Sequence, residues 1–146
     1  MTDKEPTIID GTGNLLGRTA SIVAKKLILG ERVVILNGER LVISGDPAYQ
    51  VETFAAKLEI KTIHSPRLSP HHFRRPDMYV RRSVRGMLPH EKPKGRNALK
   101  RLTVYIGTPK EYAEKTPLSL PEATASKLRT KSMTVGELMQ HFGWKT

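Results

Sequence analysis

Cysteine is absent from this chain of 146 residues, tryptophan occurs once, and aromatic residues make up only 5% of it. With no thiols there can be no disulfide and no thiolate-zinc centre, so the fold must stand on an apolar core, and a reducing compartment, the cytoplasm by default, is the expected setting. A chain of this length can bury roughly 68–70% of its unfolded surface, enough for a single domain without staples. No apolar run approaches the ~18 residues of a membrane span, and Met1-Thr-Asp-Lys-Glu-Pro6 contains no hydrophobic stretch of signal-peptide length. Internal repeats and low-complexity tracts are missing too, which argues for one domain over 1–146 and against a solenoid.

The most telling shortage is of acid. Between Arg67 and Arg101 eleven Lys/Arg face only Asp77 and Glu91, so this quarter of the chain holds nine of its eleven net positive charges; the remainder, fourteen basic against twelve acidic residues, is ordinary. A face that serves solubility interleaves the two signs, whereas a segment of one sign selects a polyanion, because each Lys/Arg–phosphate contact releases a condensed counterion. The segment shows no sustained amphipathic face that could lie in a lipid headgroup layer, so nucleic acid is favoured over membrane. Arginine dominates its middle, at Arg74, Arg75, Arg81, Arg82 and Arg85, and guanidinium both pairs with phosphate bidentately and stacks on bases. Arg67, His71, His72 and Tyr79 complete the candidate surface here, the imidazoles as neutral groups that hydrogen-bond or stack. Only Phe73 and Tyr79 are aromatic in the segment, so a stacking platform is poorly provided and folded RNA, recognised through backbone and shape, is the expected partner.

Hydropathy periodicity places this segment between core elements. Ile8–Asp10, a helical pattern from about Leu15 to Leu29, and Val33–Leu36 make a βαβ signal, with the helix stripe at Leu16, Ala20, Val23 and Leu27 and the strands parallel. Asn14 is expected to cap that helix and Gly30 to close it in a left-handed conformation. A further strand at Leu41–Ile43 precedes a helix opened by Asp46-Pro47, with Val51, Phe54, Ala55 and Leu58 on its apolar face. From Thr62 to Leu99 no period dominates; Pro66, Pro70, Pro76, Pro89 and Pro93 argue for a long inserted basic loop, about 65–101, that orders on binding and holds one helical turn near Met78 to Arg85. Beyond it, Leu102–Ile106 reads as a strand, Thr108–Glu111 and Thr134–Glu137 as capping boxes, and Val135–Phe142 as a short final helix stapled by Met133 and Leu138.

Two motifs suggest other chemistry. Gly11, Gly13 and Gly17 follow a strand and open a helix, like a dinucleotide fingerprint, and a small nucleotide-binding enzyme is the alternative reading; but the third glycine comes one residue late, and Glu31 precedes the second strand where a ribose-binding acid should end it. His71, His72 and His90 could suggest a metal site or a nuclease, yet neighbouring histidines on extended chain point apart and have no carboxylate cluster or i, i+4 partner. No Ser-His-acid set is marked out either. No catalytic residue, cofactor or metal is assigned.

The run Val84-Arg-Gly-Met-Leu-Pro-His90, continued by Gly95-Arg-Asn-Ala-Leu-Lys-Arg-Leu102 and Gly107-Thr-Pro109, closely resembles the large-subunit ribosomal protein family L thirteen. Leu16–Ser21, Val23–Lys25, Val33–Asn37 with Glu39, and Ile43–Gly45 agree, so the resemblance spans nearly the whole chain; Ser65 to Asp77 looks closer to the archaeal and eukaryotic branch than to the bacterial one. The resemblance implies an α/β fold of three layers, α/β/α, around a small mainly parallel sheet. It also implies a cytoplasmic, non-enzymatic structural constituent of the large ribosomal subunit, bound to ribosomal RNA and adjoining ribosomal proteins, with no membrane partner and no homo-oligomer. The family's RNA-facing stretch falls on Arg74, Arg75, Arg81, Arg82, Arg85, Lys92, Lys94, Arg96, Lys100 and Arg101. Gly86–Pro89 look like its structural pivot, glycine allowing close backbone approach.

Overall fold

Val33 to Leu36 are buried at all four positions, the pattern of a strand covered on both faces at the centre of a parallel sheet. The structure, a computed structural model, describes residues 5–146. Among these the chain runs β1 (Thr7–Asp10), α1 (Leu16–Ile28), β2 (Val33–Leu36), β3 (Val42–Ser44), α2 (Pro47–Glu59), α3 (Pro76–Gly86), α4 (Pro93–Lys100), β4 (Leu102–Val104), β5 (Ser132–Thr134) and α5 (Val135–Gln140). β1, β2 and β4 form a parallel sheet in that spatial order, with Ile9 beside Ile35 and Ile35 beside Val104. β3 and β5 pair antiparallel in a separate ribbon.

The two faces of the parallel sheet are covered unequally. Ile9, Val33 and Ile35 belong to the main core, with Ala20, Val23 and Leu27 of α1, Val80 and Val84 of α3, Ala98 of α4 and Leu138 and Met139 of α5. Ile8, Val34 and Leu36 face the other way, under Tyr105 and Tyr112, whose rings lie 5.7 Å apart. That second outer layer is thin, built from extended chain and a single 3₁₀ turn at Lys110–Tyr112.

Helix ends show which local signals survive packing. Gly30, at φ 96°, closes α1, and the N–H groups of Gly30 and Glu31 reach back to the carbonyls of Leu27 and Lys26 in a Schellman arrangement. Asn14 does not cap α1. Its amide donates instead to the Asp10 carbonyl at 2.6 Å, and Leu15 takes the cap position because its own N–H is bonded to Ala123. At the other end, Thr134 and Glu137 form the reciprocal capping box, at 2.7 and 3.2 Å, although α5 stops at Gln140, short of Phe142. The box expected at Thr108–Glu111 does not form, since Pro109 is the cap residue and the Thr108 hydroxyl turns to Asn37. β4 likewise ends at Val104, before Ile106.

The largest correction concerns the basic segment, much of which is helical: α3 has eleven residues and α4 eight. Two of the five prolines that argue against helix, Pro76 and Pro93, stand in the first turns of these helices, where the missing N–H costs nothing. Pro76, Val80, Val84 and Leu88, each four residues on, are all buried, a stripe one residue wide that long arginines hide from a periodicity count. Packing against α1 and β4 supplies the helical stability that propensity alone does not. Extended chain remains only at about 60–75, with one 3₁₀ turn at Pro66–Leu68.

Close backbone approach is required at Gly95 and not at Gly86. A Cβ on Gly86 meets nothing within 4 Å, whereas one on Gly95 would stand 2.1 Å from the Pro89 carbonyl oxygen. Gly95→Ala is therefore expected to lower unfolding free energy by about 1–3 kcal/mol or more, read from urea denaturation; a midpoint equal to wild type would show that the turn before α4 yields freely.

Candidate nucleic-acid interface

Burying one side of α3 dictates where its cations go. Val80 and Val84 point inward, Arg82 and Arg85 are exposed, and Arg81 and Tyr79 are half-buried at the margin. Arg81 donates to the carbonyls of Leu102 at 2.8 Å and Leu99 at 3.2 Å, tying α3 to the end of α4 and the start of β4. Arg101 similarly reaches the Leu27 carbonyl at the end of α1, at 3.2 Å, and Arg96 the carbonyls of His90 and Glu91. Cationic donors suit the carbonyls of Leu27 and Leu99 in particular, which lie in the last turns of α1 and α4 at the negative end of the helix dipole. Arg75 pairs with Asp77 through two contacts, at 3.2 and 2.9 Å, and Arg82 donates to the His71 carbonyl.

The expected surface thus divides by role. Arg67, Arg74, Arg85, Lys92, Lys94 and Lys100 are exposed and have no ion pair or hydrogen-bond partner among the described residues. Arg75, Arg82, Arg96 and Arg101 are also exposed yet hold backbone or carboxylate groups with part of their guanidinium, leaving donors over. Arg81 is the residue most committed to the fold. Nothing in the spacing of the arginines distinguishes these roles, because the carbonyls they bind come from other elements.

Aromatic provision differs from the sequence expectation. Phe54 of α2 brings its ring to 5.8 Å from Tyr79 and 6.4 Å from His72, both edge-on, while Phe73 is 43% exposed nearby. These residues, with Lys57 and Arg82, line an open cavity of about 290 Å³. Burial, with the charges of Arg82 and Lys57, pushes the His72 imidazole below its ordinary pKa, and its buried Nε2 has no partner among the described residues. His71 is exposed, and the His90 ring lies 3.4 Å from the Leu88 carbonyl. Among the described residues no group of three or more His, Asp or Glu converges as metal ligands do.

The glycine turn before α1 is occupied by the protein's own carboxylate. Asp10 Oδ1 accepts from the Thr12 N–H at 3.0 Å, the Thr12 hydroxyl at 2.9 Å and Asn37 Nδ2 at 3.0 Å, so donors that a phosphate would need are already used and an anion stands beside them. Gly17 meets nothing within 4 Å of a built Cβ, so it does not serve helix–strand packing as the third glycine of the fingerprint does. Glu31 bonds to Lys26 and Thr7. Nucleotide binding at this turn is set aside on these grounds. Burial pushes the Asp10 carboxyl up, but the bonds from Asn37 and Thr12, with Arg40 nearby, more than offset that and hold it below 3.8.

An α/β domain whose distinctive surface is a helical, acid-poor array of cations, with its one fingerprint-like turn filled internally, belongs to the class of structural proteins that present a basic face to polyanions. Comparison with known proteins makes this specific. The family described as Ribosomal protein L13 matches residues 4–111. The chain is 44% identical over 141 residues to large ribosomal subunit protein uL13 of Methanocaldococcus jannaschii, covering 95% of this chain and 98% of that one. It is 41% identical over 139 residues to the protein of that name from Aeropyrum pernix, at 94% and 90% coverage, and 41% identical over 140 residues to that of Caenorhabditis elegans, at 94% and 69%. This chain belongs to the ribosomal protein L13 family.

Two outcomes follow from this geometry. Arg81→Ala should cost about 1–3 kcal/mol of stability, since it strands two carbonyls, while Arg85→Ala should stay within about 0.5 kcal/mol; equal urea midpoints for the two variants would contradict the division of roles. Because Asp10 is depressed in the folded state, the stability it contributes is complete above 3.8 and is lost as pH falls through the folded value. The difference in urea midpoint between wild type and Asp10→Asn should accordingly be present near about pH 6 and shrink in acid; a pH-independent difference would deny the carboxylate this role.

Proposed function

We propose that this chain is a structural constituent of the large ribosomal subunit, binding and bracing ribosomal RNA through the cationic surface of α3, α4 and the extended segment before them, in the cytoplasm. The observation that carries this reading is the set of exposed cations Arg67, Arg74, Arg85, Lys92, Lys94 and Lys100, unpaired among the described residues, on a segment with only Asp77 and Glu91 as acids, one of which is already bonded to Arg75. A folded protein that leaves so many like charges together gains by neutralisation with phosphates, and the ordered α3–α4 unit removes much of the entropy cost a free loop would add on binding.

The role so described is electrostatic and mechanical, with no bond made or broken. Arg81, Arg96 and Arg101 brace the unit from inside, and the free cations face outward to the RNA; the remaining exposed surface is available to adjoining ribosomal proteins. That the relatives bear the name of a large ribosomal subunit protein supports the same assignment.

If the surface neutralises six to ten phosphates, affinity of the full chain for large-subunit ribosomal RNA falls by about 10³ to 10⁵ between about 50 and 200 mM salt. Replacing Arg74 and Arg85 by Glu should weaken binding uniformly and reduce the salt slope by about 2. An unchanged slope in a variant with wild-type stability would overturn this assignment of the surface.

A further inference from the structure

The cavity of about 290 Å³ beside α3 combines features that binding through phosphates alone does not use. Its wall is aromatic on several sides, from Phe54, Tyr79, Phe73 and His72, and among the described residues its only charged lining groups are Lys57 and Arg82, with no carboxylate. Phe54 anchors the arrangement, being buried at 6% exposure and edge-on to both Tyr79 and His72. Phe73 is not so confined. It is 43% exposed on extended chain, and it and Arg82 also line an adjoining cavity that contains Arg81 and Arg85. A half-open aromatic ring next to a line of guanidinium groups suits a flat, electron-rich ring attached to phosphate, which can stack on the one and pair with the other.

We infer that this cavity takes one unpaired nucleotide of the bound RNA, its base held against Phe73 among the other rings and its phosphate between Lys57 and Arg82. The inference rests on the RNA-binding reading above and adds to it a point where a base, and not only backbone, is held. An apolar peptide is a poorer fit, since Lys57 and Arg82 would be desolvated without a counter-ion, whereas a nucleotide supplies both ring and anion. His72 adds its ring to the same wall, edge-on to Phe54. Burial, with the charges of Arg82 and Lys57, disfavours its protonated form.

The test uses the full chain and three RNA hairpins of equal length: one with a single bulged 2-aminopurine, one with an abasic residue at the bulge, and one fully paired. The wild-type protein is expected to bind the 2-aminopurine hairpin about tenfold tighter than the abasic one, within what a single base–aromatic stack contributes, and to quench its fluorescence. Phe73→Ala, at an exposed position, should lose that preference and the quenching while keeping its affinity for the fully paired hairpin, and Lys57→Ala should reduce affinity for both hairpins with a bulged residue more than for the fully paired one. Equal affinity for bulged and abasic hairpins, without quenching and with strong salt-dependent binding to all three, would overturn the cavity assignment and leave the RNA-binding reading standing. Failure to bind any of the three at about 50 mM salt would overturn both.

Discussion

The contact on which this molecule depends is the seating of Pro76, Val80, Val84 and Leu88 against α1 and the parallel sheet. A helix that carries Arg81, Arg82 and Arg85, with Arg75 at its cap, would repel itself in isolation and has little intrinsic reason to form. Burial of a stripe one residue wide overcomes this, because the apolar atoms leave water only if the backbone is helical and the spacing is four. The charged side chains are then displaced to the opposite side and the margins. Cationic surface and core are thus two faces of one helix.

Arginine does two kinds of work in this arrangement, and they are linked. Arg81, Arg96 and Arg101 bind backbone carbonyls at helix ends and turns, so their charge helps hold α3, α4 and α1 in register. The free cations can be presented as an ordered array because these others secure the scaffold. An array held this way pays little ordering entropy when it meets RNA, unlike a loop that must fold on contact. It follows that charge alone does not tell a bracing arginine from a free one; the guide is what else lies within reach of the guanidinium.

The turn at Gly11–Gly17 illustrates the converse. Three glycines between a strand and a helix look like a phosphate cradle, but Asp10 folds over the turn and takes up donors from Thr12 and Asn37. The glycines that matter for close approach are Gly11, whose Cβ would stand 2.7 Å from the Asn37 carbonyl oxygen, and Gly95 in the basic unit. Leu15 and Ala125 meanwhile bond across to Ala123 and Gly13, so the chain near its C-terminal third crosses this turn and closes it.

Much of the first third and the start of the last helix were readable directly, because their signals are local: the buried run Val33–Leu36, the stripe on α1, Gly30 as terminator and Thr134 with Glu137 as a capping pair all act within a few residues. The charge imbalance from Arg67 to Arg101 was equally plain, since net charge does not depend on conformation, and the motif Val84–His90 with its continuation pointed to the family that the comparisons establish. Long-range contacts were not readable. Pro76 and Pro93 look like breakers until the chain is known to start a helix there; Asn14 and Thr108 look like caps until Asp10 and Asn37 claim them. The aromatic cavity joins Phe54 to residues 72–79, from separate elements with no spacing rule between them, and the split of arginines into braces and free cations depends on carbonyls up to 74 residues away. Composition and periodicity report what one segment wants in isolation, whereas partnership between distant groups exists only once burial of the apolar stripes has brought their segments together.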